Sequence, residues 1–189
     1  MDLSRLLPGP LCDEAREWLS RQPDAKTAWD TCQRGDWLLH QLWASTHVTR
    51  QRLVACACEC ARLALHHVPA DEHRPRIAID TAEAWCRGEA PVEQLRVAQS
   101  DAYAAYAASA ATLASAAFAA RAAYVAAHDA STLAALAADE AAYAAALAAD
   151  EAAYAAADAG DSRLRVLAQC ADIVRKHFTL EDLVGEDHG

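Results

Sequence analysis

Between Ala98 and Ala159 more than half of the residues are alanine, and inside that stretch the eleven residues Leu136–Ala146 (LAADEAAYAAA) recur unchanged as Leu147–Ala157. Alanine is the strongest helix former and the smallest side chain with a Cβ, so such a segment is suited to long, thin helices that approach their neighbours closely. Nothing in it carries chemistry by itself, which points to a protein that presents a surface.

Eleven residues at 100° each make three turns plus about 20°, so equivalent positions nearly superimpose on one helix face. Leu136, Tyr143, Leu147 and Tyr154 then form a line, and Asp139, Glu140, Asp150 and Glu151 lie within about 60° of it. The rest of the circumference is alanine. Turning the line inward would strip water from four carboxylates with no basic partner on the same helix. Alanine is therefore expected to pack inward, leaving Tyr143 and Tyr154 in a carboxylate-bordered ladder. Tyrosine suits interfaces because it joins a rigid apolar face to a polar tip. The strip is expected to dock a basic partner; a solvated face left by duplication fits the same pattern.

The 189 residues suit one domain, 1–189, large enough to bury most of its apolar surface. All five tryptophans, Trp18, Trp29, Trp37, Trp43 and Trp85, precede residue 90. The core is accordingly expected in a Trp-rich bundle over 1–90, with alanine-rich helices over 91–159 laid against it, a C-terminal helix within 160–183 and a loose tail over 184–189. A net charge of −10 argues against nucleic acid, whose affinity comes from Lys and Arg neutralising phosphates, and favours a basic protein partner. The N-terminus has no apolar run of signal-peptide length, and charges interrupt the alanine-rich region too often for a membrane span. A soluble, cytoplasmic protein with reduced thiols is expected, the seven cysteines being odd in number. The alanine excess and only two lysines among seventeen basic residues suggest a GC-rich bacterial genome.

Helix signals recur and strand signals are nearly absent. Expected helices run from Cys12 or Asp13 to about Arg21; over Ala25–Gln33, capped by Asp24 and ended by a left-handed Gly35; and from the Asp36 cap through Trp43. Others run from the Thr49 cap to His67 and over Arg76–Arg87, with Pro75 in the first turn and Gly88 at the end. A sixth begins at Pro91 and extends to His128, roughly 55 Å. A tight turn near 128–132 leads to a seventh helix ending about Ala157. Ser162–His177 follows, its Leu164, Leu167, Cys170, Ala171 and Val174 at helical spacing, then one turn over Thr179–Leu183. On the sixth helix Tyr103, Tyr106, Leu113, Phe118, Arg121, Tyr124, Val125 and His128 share a bulky face of little charge, expected to pack on the N-terminal helices. The fold class is all-α: about eight helices, with a long alanine-rich hairpin on a Trp-containing bundle.

Candidate chemistry is sparse. Within Cys56-Ala57-Cys58-Glu59-Cys60 the outer thiols share a helix face and Cys58 points away, so three thiolates cannot converge on one ion; buried apolar roles are expected. A Cys56/Cys60 metal pair completed by His40 or His47 remains an alternative. His66 and His67 are expected on different faces near a helix end, where they favour the dipole. Arg34-Gly35-Asp36 is a helix junction. No nucleophile elbow, Gly-rich phosphate loop or HExxH occurs, so no enzyme activity and no cofactor are expected. Asp71 and Glu72, in the loop before Arg74-Pro75-Arg76, form a second candidate contact surface, with Arg76 and Asp80 spaced to pair.

Three blocks carry a likeness: Ala28-Trp29-Asp30-Thr31-Cys32 with Gly35-Asp36-Trp37-Leu38-Leu39; Cys60-Ala61-Arg62-Leu63-Ala64-Leu65; and Arg74-Pro75-Arg76-Ile77-Ala78-Ile79-Asp80-Thr81-Ala82-Glu83-Ala84-Trp85 with Gly88-Glu89-Ala90. With Cys170-Ala171-Asp172-Ile173-Val174-Arg175, the chain resembles the all-helical immunity proteins of bacterial polymorphic toxin systems. The resemblance implies a small cytoplasmic protein that binds and neutralises a cognate toxin, and it brings no binding residues by position. Stoichiometric occlusion through an acidic, tyrosine-bearing surface is the expected function. A helical scaffold or adaptor that self-associates is the alternative, and a metal- or small-molecule-binding protein built on the cysteines is third.

Overall fold

The computed structural model describes residues 11–43, 45, 47–109 and 163–184. The helix-six continuation past Ser109, the turn near 128–132, the seventh helix with its duplicated block, and the 185–189 tail lie outside the described residues. Within them the fold is all-helical, with eight α-helices and no strand.

Local caps set the first helices. Helix α1 (Asp13–Ser20) starts at Cys12, whose Sγ accepts the Ala15 N–H at 3.4 Å, and Asp13 and Glu14 complement the dipole of its first turn. Helix α2 (Ala25–Thr31) starts at Asp24, whose carboxylate accepts the Thr27 N–H at 2.7 Å. It stops at Cys32, whose backbone turns extended. Gly35 does not end α2 in a left-handed conformation; it opens helix α3 (Gly35–Trp43), and Gly88 alone among the described glycines has positive φ. The reason lies far along the chain: a Cβ on Gly35 would fall 2.5 Å from the Cβ of Cys170. Asp36 sits inside the first turn instead of capping it, and clamps the Arg34 guanidinium at 2.8 and 2.5 Å.

Helix α4 (Arg50–Arg62) follows Thr49, whose hydroxyl makes no capping bond, and it ends five residues short of His67. The chain tightens there through Leu63 N–H to Cys60 C=O and Ala64 N–H to Ala61 C=O, then forms a 3₁₀ turn over Leu65–His67. Tightening brings the His66 and His67 rings to 3.8 Å between centroids, where separate faces were expected. Helix α5 (Arg74–Cys86) begins two residues before the expected Arg76, with Pro75 in its first turn. At its end Gly88 (φ 74°) donates to Trp85 C=O at 2.9 Å and Glu89 to Ala84 C=O at 2.8 Å, a Schellman closure.

That closure lets helix α6 (Val92–Ser109) fold back along α5. Leu95, Ala98, Ala102 and Ala105 are buried, and Ala98 and Ala102 meet Ala78 of α5. Tyr103, expected to face inward, is 53% exposed; the other side chains of that expected face lie outside the described ones. Methyl groups let the two helices approach closely, whereas a phenol in the seam would hold them apart.

The core is not confined to the first ninety residues. Helix α7 (Arg163–His177) packs on α3 and α4 and buries Val166, Leu167, Cys170, Ala171 and Val174 among Leu39, Leu42, Leu53, Val54 and Cys60. Leu164, expected inward, is 65% exposed because it precedes the first turn that meets the core; Val166 takes an inward place. Trp29 is buried, while Trp18, Trp37 and Trp85 are half-buried around the margin. Arg175 of α7 donates to the Trp29 and Cys32 carbonyls at 3.1 and 2.8 Å, satisfying the C-terminal end of α2.

Helix α8 (Leu180–Val184) is tied back onto α4. Arg52 donates to both carboxylate oxygens of Asp182, at 2.7 and 2.9 Å, and to the His177 carbonyl at 2.5 Å. Its guanidinium also lies 4.7 Å from the Phe178 ring centroid. This hydrogen bonding from Arg52 holds the Asp182 carboxyl below the usual carboxylate range. A carboxyl whose folded value is depressed adds stability above its unfolded value, and that stability disappears as pH falls through the folded value. Asp182→Asn is therefore expected to cost about 1–2 kcal/mol at pH 7. The gap from the parent in urea unfolding should narrow below about pH 4. A gap independent of pH would show that the ion pair does not hold the helix.

Candidate partner-contact surface

The loop before α5 is built from its own charges. Glu72 accepts the Arg74 backbone N–H at 3.0 Å and its Nε at 2.8 Å, while its other oxygen takes the Arg74 Nη2. Arg74 holds the Glu72 carboxyl below its ordinary value, outweighing the modest cost of burial. Glu72 is thus half-buried and engaged in starting the helix, whereas Asp71 is exposed beside it. The expected Arg76–Asp80 pair is replaced by a link between helices. Arg62 of α4 reaches Asp80 at 2.6 Å and both oxygens of Glu83 at 2.8 Å, leaving Arg76 on the exposed side of α5.

Next to this loop, α5 and α6 leave a groove of about 350 Å³ along their outer face. Ile77 and Val97 line it and stand 51% and 62% exposed, whereas most large apolar groups among the described residues are buried or half-buried. Glu93 and Asp101 lie one turn to either side of Val97 on α6, and Thr81 and Gln94 complete the polar lining. Glu72 keeps the Arg74 guanidinium charged, and Asp101 at the α6 side of the groove adds a smaller attraction of the same sense. Arg74 is already matched by Glu72, which leaves the carboxylates of Glu93 and Asp101 to set the sign of the groove. Sequence analysis did not single out Glu93, Val97 and Asp101; they come together with Ile77 only through the way α5 meets α6.

The strip residues Asp139, Glu140, Tyr143, Asp150, Glu151 and Tyr154 lie outside the described residues. Of the other expected contacts, Asp71 and Glu72 stand together at the start of α5, Asp71 facing water and Glu72 holding Arg74.

The cysteines of α4 and α7 are interior groups, whereas Cys12 is exposed and Cys86 partly buried. Cys56, Cys58, Cys60 and Cys170 are fully buried. Cys58 points to α5 and donates weakly to the Ile79 carbonyl at 4.0 Å, while Cys60 lies against Cys170 of α7 and against Cys56. A hydrogen bond from Cys170 lowers the Cys60 value, but the Cys56 contact and burial outweigh it and push that thiol well above its ordinary range. The Cys60 contact and burial raise Cys170 likewise. Both are thiols at neutral pH and poor nucleophiles or ligands. Among the described residues no group of three or more His, Cys, Asp or Glu could hold a metal, and no helix is long and apolar enough to cross a membrane. A small cavity of about 50 Å³ behind Trp18 and Trp37 is lined mainly by apolar side chains, with Gln41 among them.

Comparison with protein-family models, with curated proteins and with solved structures gives no match to this chain.

Proposed function

We propose that this chain is a non-enzymatic, immunity-type binding protein that neutralises a cognate bacterial toxin by stoichiometric occlusion. The toxin is basic, and the acidic surface of this chain attracts and holds it. The observation that carries the proposal is the α5/α6 groove, where the exposed Ile77 and Val97 sit beside the carboxylates of Glu93 and Asp101. The net charge of −10 and the resemblance of residues 28–90 and 164–178 to all-helical immunity proteins support it. In this reading the carboxylates and phenols of Asp139, Glu140, Tyr143, Asp150, Glu151 and Tyr154 join the same partner. The pattern of α6, with methyls inward and Tyr103 outward, supports that orientation for an alanine-rich helix.

Affinity capture from the native host with mass spectrometry identifies the toxin, and titration of its activity tests the proposal. The expected outcome is complete inhibition at one equivalent, with affinity falling as salt rises. Inhibition at far less than one equivalent would demand turnover and overturn occlusion. Self-assembly with no toxin bound would favour a scaffold.

A further inference from the structure

The α5/α6 groove combines an exposed apolar floor, Ile77 and Val97, with the carboxylates of Glu93 and Asp101 at its margins. Ile77 contributes from α5 and Val97 from α6, so an apolar side chain entering between them would meet hydrocarbon on both sides. Glu93 and Asp101 lie one turn before and one turn after Val97, spaced to meet cationic groups flanking such an anchor. A volume of about 350 Å³ suits one or two side chains of a protein segment. Amphipathic helices are read by grooves through this kind of anchor spacing.

We propose that this groove docks a basic amphipathic segment of the partner protein, seating an aliphatic side chain between Ile77 and Val97 and pairing flanking Lys or Arg with Glu93 and Asp101. The proposal rests on the immunity reading for the identity of the partner, but the groove chemistry is testable without it. Recognition here depends on position as well as charge, because Glu93 and Asp101 flank the exposed Ile77 and Val97.

The probe is a synthetic helical peptide with one leucine flanked by lysines at one-turn spacing, compared with the same peptide carrying serine for leucine. Binding is followed by fluorescence anisotropy against the full chain and three double variants. Ile77→Ser/Val97→Ser and Glu93→Gln/Asp101→Gln are each expected to weaken the leucine peptide roughly tenfold. Asp13→Asn/Glu17→Gln on α1 removes the same charge elsewhere and should change affinity less than about twofold. The serine peptide should bind the parent as weakly as the leucine peptide binds the Ile77/Val97 variant. Because all the substituted side chains are exposed, the variants should remain folded, checked by circular dichroism. Equal losses from the α1 variant would reduce the interaction to diffuse charge, and no binding to the parent would mean the groove is filled by the chain itself; either result overturns the proposal. A toxin arm separates the two readings. If the parent neutralises the toxin and both groove variants do so equally well, the groove is not the contact while the immunity reading stands. If groove variants abolish peptide binding but the parent neutralises no toxin, the immunity reading falls alone.

Discussion

Replacing Gly35 by alanine is expected to lower stability by about 1–3 kcal/mol, although alanine is the better helix former. The added Cβ would lie 2.5 Å from the Cys170 Cβ and 2.7 Å from both the Ala171 nitrogen and the Cys170 carbonyl carbon. Carbon atoms in good contact stand roughly 3.5–4.0 Å apart, so more than an ångström must be recovered. Two of the three nearest atoms are backbone, which prevents a rotamer change from relieving the clash. Helix α7 would have to move away from α3, disturbing the layer formed by Leu39, Leu42, Leu167 and Val174. Gly88 is a useful comparison. Nothing lies within 4 Å of its absent Cβ, and the cost of alanine there is torsional, about 1 kcal/mol for a positive φ. Urea unfolding of both variants checks this order. If Gly35→Ala were no more harmful than Gly88→Ala, close packing between α3 and α7 would not be what requires glycine.

Gly35 also marks what could and could not be read from the chain. Asp24 before α2, Pro75 within the first turn of α5 and Gly88 after it act over three or four residues, and each shaped its helix end as expected. Gly35 looked the same locally as Gly88, but Cys170 decides its role, and no local pattern reveals that neighbour. The same limit explains Asp80, which faces Arg62 across helices instead of Arg76 on its own. On α6 a helical wheel ranks faces by bulk and sends Tyr103 inward; the packed seam selects the smallest side chains and leaves the phenol outside. The periodicity of α7 was legible in Leu167, Cys170, Ala171 and Val174, but its place at the centre of the core was not, because tryptophans drew the expected core toward the N-terminus. Of the candidate surface, the charged loop at Asp71–Arg74 was visible in sequence. The apolar floor was not, since Ile77 and Val97 gain meaning only when α6 folds back on α5.

The larger loss is expected at Phe178, among the largest side chains fully enclosed by the described core. It follows α7 directly, with its N–H donating to the Val174 carbonyl at 2.8 Å, and the Arg52 guanidinium lies 4.7 Å from its ring centroid. Phe178→Ala removes a ring from a packed interior and leaves a cavity that α7 and α8 cannot fully close. A cost of about 3–5 kcal/mol follows, against a total stability of roughly 5–15 kcal/mol for a domain. The loss should spread beyond the cavity. Arg52 would lose the ring beneath its guanidinium, weakening its hold on Asp182 and the His177 carbonyl. Phe178→Leu retains most of the volume and should cost less than about 1.5 kcal/mol. Leu164→Ala, on the exposed edge of α7, should stay within about 0.5 kcal/mol of the parent. Chemical unfolding of the three variants, with amide exchange across residues 180–184, separates a local detachment of α8 from collapse of the whole bundle. If Phe178→Ala cost no more than Leu164→Ala, the C-terminal helices would not close this core, and the expected hold of Phe178 and Arg52 on α8 would fail with it.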